Sequence, residues 1–276
     1  MKWFPLVLLI SVLFLLSELH YQGMAQTGGW EEVGEGLYIG VFESPQKSVV
    51  GDSRIWIIKI DPGKYEFKLL CAAELGVPNK TVREWCQQFH LIGAINAGMF
   101  RPDGKTNVGY MKNFRYTNNG KIHPGYHSVA AFQPVQSNLP LFRIFDIDEY
   151  DMAKIIRSYH IVIQNLRLIK RPGQNRWSRQ AKKWSEAALG EDKDGNVLFI
   201  FSRSPYSMHD LNDILIHLPI GLVAAQHVEG GPEASLYFSY GNKTIELFGS
   251  YETGFNENDA NSTYWPIPNV IGFVKR

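Results

Sequence analysis

The clearest pattern in the chain lies between residues 197 and 236. An apolar run, Val197 to Phe201, reads as a buried strand. A turn with Arg203, Ser204 and Pro205 follows. Ser207 and Asp210 stand three apart, the spacing of a helix capping box, and Leu211, Ile214, Leu215 and Leu218 then mark one helical face. Pro219 and Gly221 end the helix. A second apolar run, Leu222 to Val228, leads into Glu229-Gly230-Gly231-Pro232-Glu233-Ala234-Ser235. Strand, helix, strand predicts a crossover with two parallel strands, whose C-terminal ends share one rim, where ligands bind in open sheets. Arg203 follows the first strand and Glu229 the second, so a cation and a carboxylate are expected on that rim. The paired glycines suit a close backbone approach to a ligand or a tight turn.

The same order recurs earlier. Tyr65 to Ala73 reads as a strand, and Thr81 and Glu84 form a capping box before Val82, Trp85, Cys86 and Phe89. Ile92 to Asn96 is then a strand ending in Asn96-Ala97-Gly98-Met99-Phe100, which puts Asn96 at a second strand end. Elsewhere, turn chemistry predicts hairpins. Asp61-Pro62-Gly63 lies between Arg54–Ile60 and Tyr65–Ala73, and Asn118-Asn119-Gly120 between Gly109–Asn113 and Ser128–Pro134. Asp194-Gly195 pairs Ala187–Gly190 with the strand from Val197, which brings Glu186 to the same sheet, and Tyr240-Gly241-Asn242 joins the strands on either side of it. Asp151 to Arg157 reads as a short helix and His160 to Leu168 as a strand carrying Gln164 and Asn165. The fold class expected is α+β: a mixed β-sheet core with antiparallel hairpins and a few crossover helices.

Composition adds bounds. With 276 residues, 45% hydrophobic and 20% charged, one globular domain is expected. A net charge of +1 gives no argument for nucleic acid. Lys2, the apolar run Phe4 to Leu16, and Gly23-Met24-Ala25 fit a secretory signal peptide over residues 1–25, cut after Ala25. The domain is then 26–276, secreted or periplasmic, with no stable membrane span after cleavage; an uncleaved anchor is the alternative. In that compartment Cys71 and Cys86 are free to pair, and a bridge or two buried thiols are equally open. Lys170 to Trp184 holds six basic residues and no acid, which suits a solvated loop or a patch steering an anionic substrate. His123 and His127 read as loop residues, not a metal pair.

Five pieces, in order, resemble the phosphodiester glycosidase family. They are Ile95–Phe100, Gln164–Ile169, Ala187–Asp192, Arg203–Ser207 and His227–Leu236. The family includes a lysosomal uncovering enzyme and many bacterial exported proteins, and the resemblance spans roughly residues 50–275. Two features depart from the uncovering-type pattern, so the chain resembles a bacterial offshoot with the sequence EGGPEAS. Glu186 stands where that pattern has arginine. Glu229 stands where it has aspartate, with Pro232-Glu233 interrupting its glycine run. The loss of that arginine calls the parent's phosphodiester substrate into question.

The resemblance implies a hydrolase acting on glycosidic or sugar-phosphodiester bonds. Such chemistry needs an acid for the leaving group and a second carboxylate as base or nucleophile. Glu229 is the candidate for one role, and Glu186, Asp210 or Glu233 for the other. Arg203, helped by His209 or Lys112, would bind a phosphate or carboxylate, and Asn96 and Ser235 would hold sugar hydroxyls. No cofactor or metal is demanded, and strand-end carboxylates leave a divalent cation open. The partner expected is a glycan or sugar phosphate. A non-catalytic module binding envelope polysaccharide is the competing reading.

Overall fold

The computed structural model describes residues 28–276, so the expected leader peptide lies outside the described residues. In chain order the elements are β1 (Gly28–Gly34), β2 (Leu37–Glu43), β3 (Arg54–Ile60), β4 (Tyr65–Cys71), α1 (Ala72–Leu75), α2 (Val82–Phe89), β5 (Gly93–Asn96), β6 (Met111–Asn113), β7 (Tyr116–Asn119), β8 (Ser128–Pro134) and β9 (Phe142–Asp146). There follow α3 (Met152–Ser158), β10 (Tyr159–Asn165), β11 (Arg167–Lys170), β12 (Gln174–Asn175), β13 (Trp184–Asp192), β14 (Val197–Tyr206), α4 (Met208–His217) and β15 (Leu222–Gly230). A 3-10 turn (Gly231–Glu233), β16 (Ser235–Tyr240), β17 (Lys243–Phe248) and β18 (Asn269–Lys275) complete the chain.

The fold is mainly β within the α+β class, with few helices. The strands form three sheets, ordered β1-β2-β3-β14-β13-β15-β11-β12, β7-β6-β10-β8-β9 and β17-β16-β5-β18-β4. Every pairing between these strands is antiparallel, which corrects the expected mixed sheet. The correction has the same cause at both predicted crossovers. β14 and β15 run parallel to each other, but β13 lies between them, antiparallel to both. β4 and β5 likewise flank β18. Each strand–helix–strand unit is thus split by a strand from elsewhere in the chain.

Local chemistry accounts for most boundaries. Thr81 Oγ1 accepts from the Glu84 amide at 3.2 Å while Glu84 accepts from the Thr81 amide at 2.8 Å, so the first capping box closes in full. At α4 the Ser207 half forms, with Oγ accepting from the Asp210 amide at 3.1 Å. Gly195 and Gly241 take positive φ values of 84° and 59° at the tips of the β13–β14 and β16–β17 hairpins.

Two expected hairpins are not formed. The Asp61 turn closes, with Asp61 Oδ1 accepting from the Gly63 amide at 2.7 Å, but β3 and β4 diverge into different sheets. Asn118 and Asn119 lie within β7, and the turn falls earlier, between β6 and β7. The Asn119 side chain donates to the carbonyls of Asn107, Val108 and Gly109, so its amide pins a loop. Cys71 and Cys86 are free and buried in separate apolar clusters. No helix among the described residues is long and apolar enough to cross a membrane.

The largest core cluster draws residues from all three sheets. Phe67 of β4 stands at their junction, with ring centroids 5.1 Å from Phe132 of β8, 6.2 Å from Phe199 of β14 and 6.0 Å from Phe273 of β18. Truncating such a ring removes contacts to every layer at once. Phe67→Ala should therefore cost about 3–5 kcal/mol, read from chemical denaturation midpoints at constant slope.

Candidate functional site

β13 and β15 pair with Glu186 opposite Gly230 and Ala187 opposite Glu229; a register shift follows, so that Ala188 faces His227. A bulge of this kind re-aims the side chains around it. Glu186 has no exposed surface. A buried carboxylate needs partners, and it has two. Trp184 Nε1 donates to Oε2 at 2.7 Å, and His227 Nδ1 lies 2.8 Å from Oε1 and 2.9 Å from Oε2. Indole N–H can only donate, so Oε2 accepts from Trp184; burial raises the Glu186 carboxyl, and His227 and Trp184 pull against that. The His227 amide also donates to the Leu166 carbonyl at 2.9 Å. Burial opposes charge on the imidazole, yet the Glu186 carboxylate and the nearby Glu229 outweigh it and raise the His227 pKa.

Glu229 ends β15. Its Oε1 accepts from the Gly230 amide at 3.1 Å, the only hydrogen bond to this carboxylate among the described residues, and the residue is 8% exposed. Burial pushes the carboxyl up to about 8; His227 and the Gly230 amide pull against that, and the charges of Glu233 and Glu186 add to it. The two glycines that follow have separate tasks. A Cβ on Gly230 would sit 2.7 Å from Trp184 Cδ1, and one on Gly231 would sit 2.6 Å from Glu252 Oε2. Gly231 also has a φ of +63°, which other residues avoid.

Trp184, His227 and Glu229 face a cavity of about 370 Å³, with Glu186 buried behind them. Its polar wall is His227, Glu229, Glu233 and Glu252, and its apolar wall is Met99, Phe100, Val108, Leu166 and Trp184. Burial first, then the charge of Glu252, raises the Glu233 carboxyl. Tyr126 stands close enough to Glu229 for its hydroxyl to respond to that charge, after burial. Among the described residues no group of three or more His, Cys, Asp or Glu is placed to hold a metal ion.

The structure thus brings together Glu186, Glu229 and Glu233 of the residues expected from sequence. Asn96 and Ser235 stand behind them. Asn96 Nδ2 donates to the Glu233 carbonyl at 3.0 Å and Oδ1 accepts from the Ser235 amide at 2.7 Å, while Ser235 Oγ donates to the same Glu233 carbonyl at 2.8 Å. Both hold the turn that presents Glu233, and neither lines the cavity.

The remaining four are elsewhere. Arg203 donates to the carbonyls of Phe248 and Asn261, both at 2.8 Å, pairs with Asp259 at 2.8 Å and lies over the Phe248 ring. It tethers the polar excursion after β17, so the expected cation on the rim is already occupied. Lys112 donates to the Ile156 carbonyl at 2.7 Å in α3. His209 reaches from α4 to the Trp177 carbonyl in the basic loop at 2.7 Å and lies beside Asp213 on its own helix. Asp210 sits in the first turn of α4, where an acid suits the helix dipole.

Trp184, His227 and Glu252 were not foreseen as site residues. Trp184 and Glu186, and His227 and Glu229, are each two apart on a strand, a spacing that could have marked them. Glu252 comes from the excursion and carries no such signal.

A family model described as phosphodiester glycosidase matches residues 89–274. The chain belongs to the phosphodiester glycosidase family. Among solved structures it is similar to the catalytic domain of zebrafish N-acetylglucosamine-1-phosphodiester alpha-N-acetylglucosaminidase auto-inhibited by its pro-peptide, at 12% identity and a TM-score of 0.57, covering 94% of this chain and 91% of that one. A hypothetical protein from Synechocystis aligns at 13% identity and a TM-score of 0.56, over 92% of this chain and 64% of that one. At such identities the likeness is one of fold. No curated protein matches the chain. The family model spans β13 to β15 and the turn after them, the segments that build the cavity.

A carboxyl whose pKa is raised on folding binds its proton more tightly in the native state. That stabilisation is fully present below the unfolded value of 4.5 and is lost as pH rises towards about 8. The wild type should lose melting temperature across this window. Glu229→Gln, which cannot ionise, should lose measurably less, checked by thermal unfolding at pH 5 and pH 8.5.

Proposed function

We propose that the chain hydrolyses glycosidic bonds in the Glu229 cavity, and that Glu229 is the acid that protonates the leaving oxygen. The observation that carries this is a nearly buried carboxyl on a cavity wall, with one oxygen unpartnered and its pKa pushed up to about 8. A carboxylic acid still protonated near neutrality is what protonation of a departing sugar oxygen requires. Glu233 and Glu252 are the carboxylates available as base or nucleophile. Glu186 acts through His227, holding the imidazole by Nδ1 so that Nε2 is the ring nitrogen free to meet substrate or water. Trp184 is held by its indole N–H and offers an apolar face for a sugar ring.

This assignment keeps Glu229 as one of the two carboxylates, now as the acid, and makes Glu186 a positioning residue in place of the second carboxylate. Family membership supports glycosidase chemistry in general, while the sugar, the leaving group and export through the leader at residues 1–25 belong to this proposal. A module that only binds glycans would bind sugar equally well with glutamine at 229.

Glu229→Gln should lower kcat by about 10²–10⁴ on an aryl glycoside that the wild type cleaves, with sugar binding and the melt at pH 5 retained. The wild-type rate should fall on the alkaline side around the Glu229 pKa of about 8. Full activity in the variant would end the assignment.

A further inference from the structure

The basic loop between β12 and β13 joins two hollows. Its first residues, Arg176, Trp177 and Ser178, line a recess of about 240 Å³ together with His127, Leu166 and Arg167. At its far end Trp184 lines the Glu229 cavity, and Leu166 lines both hollows. That end is pinned, since the Lys183 amide donates to Thr253 Oγ1 at 3.0 Å and Trp184 bridges to Glu252. Tyr126, whose hydroxyl feels the charge of Glu229 after the effect of burial, lies in the chain between Gly125 and His127, which both line the recess. The recess therefore adjoins the cavity on its Glu229 side.

The two hollows differ in charge. Three glutamates and no lysine or arginine line the cavity, whereas two arginines and no acid line the recess. Arg167 is already paired, with Asp146 and Asp148. Arg176 forms no ion pair among the described residues, and neither do Arg179, Lys182 and Lys183 further along the loop. Trp177 Nε1 donates to the Arg167 carbonyl at 2.7 Å, so the indole is held by the protein itself.

We propose that the recess receives the leaving half of the substrate, a sugar unit bearing a carboxylate or phosphate, with Trp177 against its ring and Arg176 on its anion. The proposal rests on reading the Glu229 cavity as the place of bond cleavage and adds a second site beside it. A ligand that spans both hollows meets carboxyls at one end and an uncompensated guanidinium at the other. Its charge is then best placed away from the sugar that Trp184 and Phe100 contact, and a protonated Glu229 is compatible with that arrangement. Arginine grips a carboxylate or phosphate with forked, charge-assisted hydrogen bonds, and an anchored indole suits the apolar face of a sugar ring. The loop cations beyond Arg176 add attraction over distance, which salt weakens. A merely solvated loop would leave binding indifferent to Arg176, because isolated exposed charges contribute little. The substrate is thus an acidic glycan of at least two units, cut between the two hollows.

The test is calorimetric titration of the purified protein at pH 7 with glucuronate, glucose 6-phosphate, glucose and inorganic phosphate, repeated in the galacto series. The acidic sugars should bind about tenfold tighter than the neutral hexose, the worth of one charge-assisted hydrogen bond, and tighter than inorganic phosphate. The stronger of the two acids tells a carboxylate source from a phosphate source. The preference should shrink as salt is added. Arg176→Gln should abolish it and Arg176→Lys restore part of it, while Trp177→Leu should weaken the acidic sugars and leave inorganic phosphate unchanged. Arg176 is exposed, so its variants decide alone should the Trp177 variant misfold.

Equal binding of neutral and acidic sugars, inorganic phosphate binding as tightly as glucose 6-phosphate, or a preference unchanged in Arg176→Gln overturns the proposal, and so does the absence of binding by every probe. Its failure and that of the hydrolase reading are distinguishable. Arg176-dependent binding with no cleavage of any aryl glycoside sinks the hydrolase and keeps the recess. Cleavage of neutral and acidic disaccharides with equal kcat/KM, unaltered in Arg176→Gln, does the reverse.

Discussion

Three antiparallel sheets can share one interior only if their apolar faces meet at a common point, and here they meet around Phe67. Its ring touches aromatic partners from each layer, and the cluster behind it runs from Leu37 through Ile163 to Phe273. Close packing transmits position, so a strand fixed at this junction has little freedom at its far end. β13 and β15 reach the cavity from that core through Ala187, Leu189, Ala224 and Val228. The placement of Glu186 and Glu229 therefore follows from packing laid down well away from them.

What the packing holds in place is a set of charges the interior would otherwise reject. Glu186 is tolerated because His227 and Trp184 satisfy it, and Trp184 can approach because Gly230 has no side chain. Gly231 makes the same concession to Glu252 and turns the chain into the 3-10 segment that Asn96 and Ser235 brace. The glycine pair after Glu229 thus serves a ring on one side and a carboxylate on the other. Little of this motif is spare, since each small or polar residue answers a specific neighbour.

The sequence made local features legible and left distant ones hidden. Turn glycines at 195 and 241 and the Thr81 cap could be read from spacing, because each depends on residues near one another in the chain. Arg203, expected as a ligand contact, is bonded within the chain. Its partners, Phe248, Asp259 and Asn261, lie in a polar stretch whose course no periodicity reveals. Lys112 and His209 are likewise each bonded to a carbonyl distant in sequence. The mixed sheet was inferred because two parallel strands were correctly recognised, while nothing in β13, buried along almost its whole length, says that it lies between them. The Asp61 turn shows the same limit, since turn chemistry specifies a reversal but not whether the flanking strands remain neighbours.

The position of β18 carries a consequence for how the molecule assembles. It fills the gap between β4 and β5, yet it is separated from both by most of the chain. Until it arrives, two hydrophobic strands present unsatisfied backbone to the solvent, and a long closure must precede any reward in contacts. Synthesis runs from the other end, so the nascent protein spends its elongation with an open slot in the middle of a sheet. Closure of this sheet thus waits on the segment most distant from it in sequence.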